Sequence, residues 1–150
     1  MAAKNTVILK NYSNIFEEYE AEAATIYPGC LIELTSGNKV KVHATPGGNA
    51  LPMFAIEDAL QGKTLMDAYA DGDKVQYNIQ RPGTRFLGVL KVGETVLIGD
   101  ELISAGDGTL IKASSASSGT TIQKVMAIAE EDLDLTVSDA TDNYLICRAC

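Results

Sequence analysis

Residues 74–112 read KVQYNIQRPGTRFLGVLKVGETVLIGDELISAGDGTLIK, from Lys74 to Lys112. Short runs of strand-forming residues recur there about every ten positions. They are Lys74–Gln80, Arg85–Lys91, Thr95–Ile98, Glu101–Ser104 and Thr109–Lys112. Between them stand Arg81-Pro82-Gly83, Val92-Gly93, Ile98-Gly99-Asp100 and Gly106-Asp107-Gly108, where proline presets φ and glycine supplies a positive φ. This spacing predicts an all-β domain, a small β-barrel or β-sandwich with a jelly roll among the candidates, and not a parallel α/β sheet.

Upstream, Pro52–Ile56 reads as another strand, and Cys30–Thr35 with Lys39–Ala44 as a hairpin across Ser36-Gly37-Asn38. Glu57–Gln61 reads as one helical turn ended by Gly62, and Thr64–Tyr69 as a second. The turn signal Tyr27-Pro28-Gly29 divides a β domain, residues 27–150, from an N-terminal arm, residues 1–26. Within the arm, Thr6–Lys10 reads as a short strand. Ser13 is placed to cap a short helix running to Glu22, with Ile15, Phe16 and Tyr19 on one side and the acids on the other. A helix that short is not stable alone and must lie on something. Downstream, Ser114–Thr121 is an uncharged loop rich in Ser, Thr and Gly, and Ile122–Ala129 and Asn143–Cys150 read as closing strands. Between those strands, Glu130–Asp142 holds six acids and no base.

A chain of 150 residues is one domain long, and buries enough surface to need no disulfide or metal staple. Twelve basic against 20 acidic side chains give a net charge of −8, which argues against nucleic acid, a ligand that demands a basic footprint. Apolar runs such as Val7-Ile8-Leu9 are too short for a membrane span or an export signal.

Candidate chemistry is thin. Cys30, Cys147 and Cys150 are an odd number, read without an export signal as reduced thiols. The terminal CxxC lies on a predicted strand rather than at a helix start, and a zinc site would need the irregular set Cys30, His43, Cys147 and Cys150. Buried or half-buried thiols are the expectation. Alternation in Lys39–Ala44 puts His43 with Lys39 and Lys41 on a solvated basic stripe. Asp71, Asp73, Asp100 and Asp107 offer hard oxygens, but their Gly-Asp settings read as turn chemistry and not as calcium loops. Gly62-Lys63-Thr64 ends like a phosphate loop, yet Glu57 stands where its first glycine belongs. No Gly-x-Ser-x-Gly elbow is present, and Glu130-Glu131 reads as part of a solvated acidic face. No nucleophile, base and oxyanion donor assemble, so no enzyme, metal or cofactor is expected.

From Tyr27 to Ala113 an ordered series of short motifs resembles the capsid decoration (cement) proteins of tailed bacteriophages. It comprises Pro28-Gly29-x-Leu31-Ile32-Glu33, Val40-Lys41-Val42-His43-Ala44, Phe54-Ala55-Ile56-Glu57-Asp58 and Leu60-Gln61-Gly62-Lys63. It continues with Asp67-Ala68-Tyr69-x-x-Gly72-Asp73-x-Val75-Gln76-Tyr77, Arg81-Pro82-Gly83 and Gly99-Asp100-x-Leu102-x-Ser104-x-Gly106-Asp107-Gly108-Thr109-Leu110. The opening residues Met1–Val7 also look like the start of that family. The resemblance implies a non-enzymatic virion protein, made in the host cytoplasm, that sits on the capsid exterior and reinforces the head. Its implied partners are the major capsid protein and further copies of itself, a homo-trimer before a homo-dimer.

The residues suit that role. Val7, Ile8, Leu9, Tyr12, Ile15, Phe16 and Tyr19 make the arm too apolar to hang free, and they are the candidate capsid or subunit contacts. Such an arm gains hydrogen bonds and buried area together by adding a strand to an open edge. Packing on its own domain is the alternative fate. The competing function is a virion-displayed binding module, a head-fibre base or a carbohydrate-binding β domain. Against the carbohydrate reading, the chain has no Trp, only 6 Tyr and 3 Phe, whereas sugar binders expose aromatic platforms.

Overall fold

A computed structural model of the chain describes residues 6–10, 15–23, 25–113, 123–136 and 142–150. Two hairpins follow the sequence closely. Residues β3 (Ile32–Leu34) and β4 (Lys39–Val42) pair antiparallel, as do β9 (Glu101–Ser104) and β10 (Leu110–Lys112). Strand β5 (Met53–Ala55) pairs with β6 (Lys74–Ile79) across the single 3-10 turn found among the described residues, Ala59–Gln61, which Gly62 closes at φ 71°. The second helical turn expected at Thr64–Tyr69 is instead an irregular loop, pinned where the Thr64 N–H and hydroxyl both donate to Asp67.

Two large sheets result. The first runs β1 (Ile8–Lys10), β7 (Arg85–Val89), β13 (Tyr144–Ala149), β11 (Val125–Ala129), β9, β10, with every neighbour antiparallel. The second runs β3, β4, β2 (Phe16–Ala21), β6, β5, and only the β2–β4 pair is parallel. A small ribbon joins β8 (Thr95–Val96) to β12 (Leu133–Asp134), a strand that acidic composition concealed. Single bridges, Leu90↔Leu110 and Leu31↔Phe54, turn the outer strands of each large sheet inward without closing a barrel among the described residues. The architecture is all-β, two curled sheets packed at a seam.

Each sheet has its own core. Phe86, Leu102, Leu110, Met126, Leu145 and Cys147 belong to the larger one; Ala21, Ile26, Val40, Val75 and Tyr77 belong to the smaller. Phe54 crosses between them, its ring 4.6 Å from that of Phe86, and burial of each ring stabilises the fold by about 1.5–3 kcal/mol. At the seam, the Gly108 carbonyl accepts the Leu31 N–H at 2.8 Å. Gly108 holds φ 85°, and a Cβ there would meet Val42 at 2.9 Å and Cys30 at 3.3 Å, so glycine serves both the turn and the close approach.

The helix expected from Ser13 to Glu22 is not formed. Ser13 lies outside the described residues, and Phe16–Ala21 is a strand. The physical reason is competition: a short helix gains only its own few hydrogen bonds, whereas β2 pairs with β6 over five residues and with β4 over two. Both arm strands therefore lie in sheets of the domain itself, β1 at the edge of one sheet and β2 inside the other.

Candidate functional site

The arm residues expected at an interface fall into three environments. Val7 is 0% exposed and packs in the larger core; its N–H donates to Glu57 Oε2 at 3.0 Å, and its carbonyl accepts from Leu87 N–H at 2.7 Å. Ile8 is half-buried against the same core. Leu9, Ile15, Phe16 and Tyr19 are exposed, Phe16 at 49%. Tyr12 lies outside the described residues. Because β1 and β2 join different sheets, the arm does not gather these side chains into one patch. Tyr19 stacks on Tyr77 with ring centroids 6.2 Å apart, so part of its face is already used within the chain.

The outer face of the five-stranded sheet is polar by contrast. Lys39 Nζ lies 2.7 Å from Glu20 Oε1, and Lys41 Nζ 3.4 Å from Glu33 Oε1. The hydrogen bond and charge of Lys39 hold the Glu20 carboxyl below its ordinary value, and Glu20 in turn raises the Lys39 ammonium. Gln76 donates to Glu18 on the same face. These pairs fix the arm strand to the body by direction more than by energy, since exposed pairs contribute little.

His43 corrects the expectation of a solvated stripe: it is 2% exposed. Alternation does put it on the face of Lys39 and Lys41, but β9 of the other sheet covers that face at its end. There His43 Nδ1 meets Ser104 Oγ at 2.7 Å, and its Nε2 lies 3.7 Å from Glu33 Oε2. Ser104 is fully buried and its hydroxyl accepts the Gly106 N–H. The buried serine and histidine thus stand in a row with the partly exposed Glu33, and the row works as a cross-sheet tie.

The aspartates at the turns spend their oxygens on backbone. Asp67, Asp73 and Asp100 each accept the N–H of the residue three before, Thr64, Ala70 and Leu97, at 2.8, 2.8 and 2.9 Å. Their own N–H groups return bonds to those residues' carbonyls. For Asp73 and Asp100 this is the turn chemistry read from the sequence; Asp107 likewise accepts the nearby Thr109 N–H at 3.1 Å, whereas Asp71 accepts the N–H of Ala23, far along the chain, at 3.1 Å. Lys112 also pairs with Asp100 at 2.8 Å, and that bond is the leading cause of a lowered Asp100 pKa. Among the described residues no group of three or more His, Cys, Asp or Glu side chains is placed to hold a metal ion. All three cysteines are free thiols. Cys30 and Cys147 are buried, and burial pushes them up to about 11 and about 12; Cys150 is exposed. Unpaired and raised, the buried two are poor nucleophiles.

Two features escaped the sequence reading. A half-open cavity of about 560 Å³ lies beside the seam, walled by Tyr27, Cys30, Leu65, Met66, Val89 and Tyr144. The Tyr144 hydroxyl sits 2.8 Å from the carbonyl oxygens of both Pro28 and Leu65, bracing that wall. The second feature is Ile98, 68% exposed beside Leu97 and next to Arg85, Glu130 and Arg148. Glu130 accepts from both arginines, at 2.6 Å from Arg85, and Arg148 is the leading cause of its lowered pKa. Ile98-Gly99-Asp100 carried the signal: an apolar residue inside a turn has no core to enter.

Neither a family model nor a curated protein matches the chain. Among solved structures, the fold is similar to the crystal structure of the head fiber gp8.5 N base in bacteriophage phi29. The TM-score is 0.55 at 14% identity, over 91% of this chain and 95% of that one. At that identity the likeness is one of fold.

Proposed function

We propose that this chain is a structural protein of a tailed-phage virion that binds the outer surface of the head and reinforces the shell. The observation that carries the reading is the near full-length likeness of fold to a phage head fiber base. The ordered motif series from Tyr27 to Ala113 supports it independently, because it lies in the sequence and not in the fold. The surface chemistry suits adhesion: Phe16, Leu51 and Ile98 stand exposed on the body. The net charge of −8 keeps the protein off packaged DNA and fits the capsid exterior. On this reading the partners are the major capsid protein and copies of the chain itself, and the chain performs no catalysis.

The fold likeness equally favours a second reading, a head-fibre base that anchors a displayed module. One experiment addresses both. Purified protein is mixed with undecorated shells, imaged by cryo-electron microscopy, and the shells are heated. Dense symmetric occupancy with a higher shell disruption temperature is expected for cement. Sparse occupancy with unchanged shell stability assigns the fibre base. Absence of binding at micromolar protein overturns both.

A further inference from the structure

We propose that the arm strands β1 and β2 exchange between copies of this chain, so that those of one copy fill the same seats in the next. Three observations meet at one place. First, the arm joins the body just after β2, where Ala23 and Thr25 hold φ 68° and 76°. An alanine and a β-branched threonine in the left-handed region store strain that a reopened, extended linker releases. Second, the seats are built by the body. Phe86 and Leu87 of β7 receive Ile8 and Val7, and β6 and β4 flank β2 on its two sides.

Third, four contacts that hold the arm among the described residues run from arm to body. Val7 N–H reaches Glu57, Tyr77 hydroxyl reaches Glu17, Glu20 pairs with Lys39, and Ala21 N–H donates to the Asp73 carbonyl. Exchange remakes these between chains and gives up, at the linker, the strained connection together with the bond from Ala23 N–H to Asp71 Oδ1. Identical contacts with a relaxed linker make exchange a low-cost route to a closed ring of copies. The cost is concentration, and copies crowded on a shell meet it through high effective concentration. The inference rests on the proposed multi-copy role only for that crowding.

The test uses the full chain with Cys150→Ala and a cysteine pair, Glu18→Cys with Gln76→Cys, at positions that face each other across β2 and β6. After oxidation, denaturing electrophoresis without reductant is expected to show bands at two or more chain masses. A band at one chain mass only overturns the proposal. Two linker variants decide the case even where the pair fails to oxidise. Thr25→Gly relaxes the closed linker and is expected to lower the oligomer fraction in light scattering about tenfold, the effect of one strained residue relieved. Thr25→Pro, with φ fixed near −65°, forbids the closed linker and is expected to raise that fraction. Equal oligomer fractions in both variants overturn the proposal. Shell binding is scored separately: shells bound by a strictly unexchanged protein refute arm exchange and leave the proposed function standing.

Discussion

One arm supplies a strand to each large sheet, and the two sheets treat it differently. Strand β1 lies at an edge, paired only with β7, whereas β2 is held between β4 and β6. An edge strand extends a sheet that is already complete; a central strand is the bridge between its halves. In the five-stranded sheet, β4 and β3 reach β6 only through β2 or through the lone Leu31↔Phe54 bridge to β5. The arm is thus an accessory of one sheet and a keystone of the other, although its residues look alike in sequence.

The largest expected effect separates those roles. Ala21→Pro removes an N–H that donates to the Asp73 carbonyl at 2.8 Å and forces its ring in where Ala21 is fully buried. The orphaned carbonyl and the forced ring together cost about 2–5 kcal/mol, read as a lower urea midpoint. Leu9→Pro, on the exposed edge strand, is expected to cost less than half as much. Equal losses would erase the distinction between edge and centre.

A smaller effect of opposite sign sharpens the boundary between the sheets. Among the described residues, Asn78 Oδ1 and both amide atoms of Gln80 are buried without hydrogen-bond partners, on and just past β6. Gln80→Met keeps the shape and removes two unmet polar atoms, so it is expected to stabilise the fold by about 1–2 kcal/mol. A rise in melting temperature checks it. A fall would mean that Gln80 is bonded in solution.

The smallest effect belongs to the exposed end of the six-stranded sheet. Arg148 first and Arg85 second hold the Glu130 carboxyl below its ordinary value. A folded pKa below the unfolded one adds stability above the ordinary carboxylate range, lost as pH falls through the folded value. Glu130→Gln is therefore expected to cost up to about 1 kcal/mol at pH 7, and the gap to the parent protein closes on acidification. Urea midpoints measured from pH 7 down to pH 3 follow it.

The same contrast explains what could be read from the sequence. Strands that pair with near neighbours, β3 with β4 and β9 with β10, announce themselves by a turn signal between two apolar runs. Strands whose partners lie far along the chain do not. Ile15 and, within the strand Phe16–Ala21, Phe16 and Tyr19 stand at spacings that suit a helix, and only the waiting edges of β4 and β6 make the stretch a strand. His43 shows the same limit for a side chain: alternation fixed its face correctly but could not reveal that β9 covers that face. The seam cavity was illegible for the same reason, since Cys30, Leu65, Val89 and Tyr144 come together only when the sheets dock. Asp73, Asp100 and Asp107 were legible because their backbone partners lie two or three residues away; Asp71, which accepts the distant Ala23 N–H, was not.

The distribution of sulfur has a practical corollary. Of three thiols, two are sealed inside and one, Cys150, sits at the surface at the chain's last position. A maleimide dye should therefore couple first at Cys150, since burial pushes the Cys30 and Cys147 thiols up to about 11 and about 12. Each copy docked on a particle would then carry a single addressable tag, and counting fluorophores per particle would count molecules.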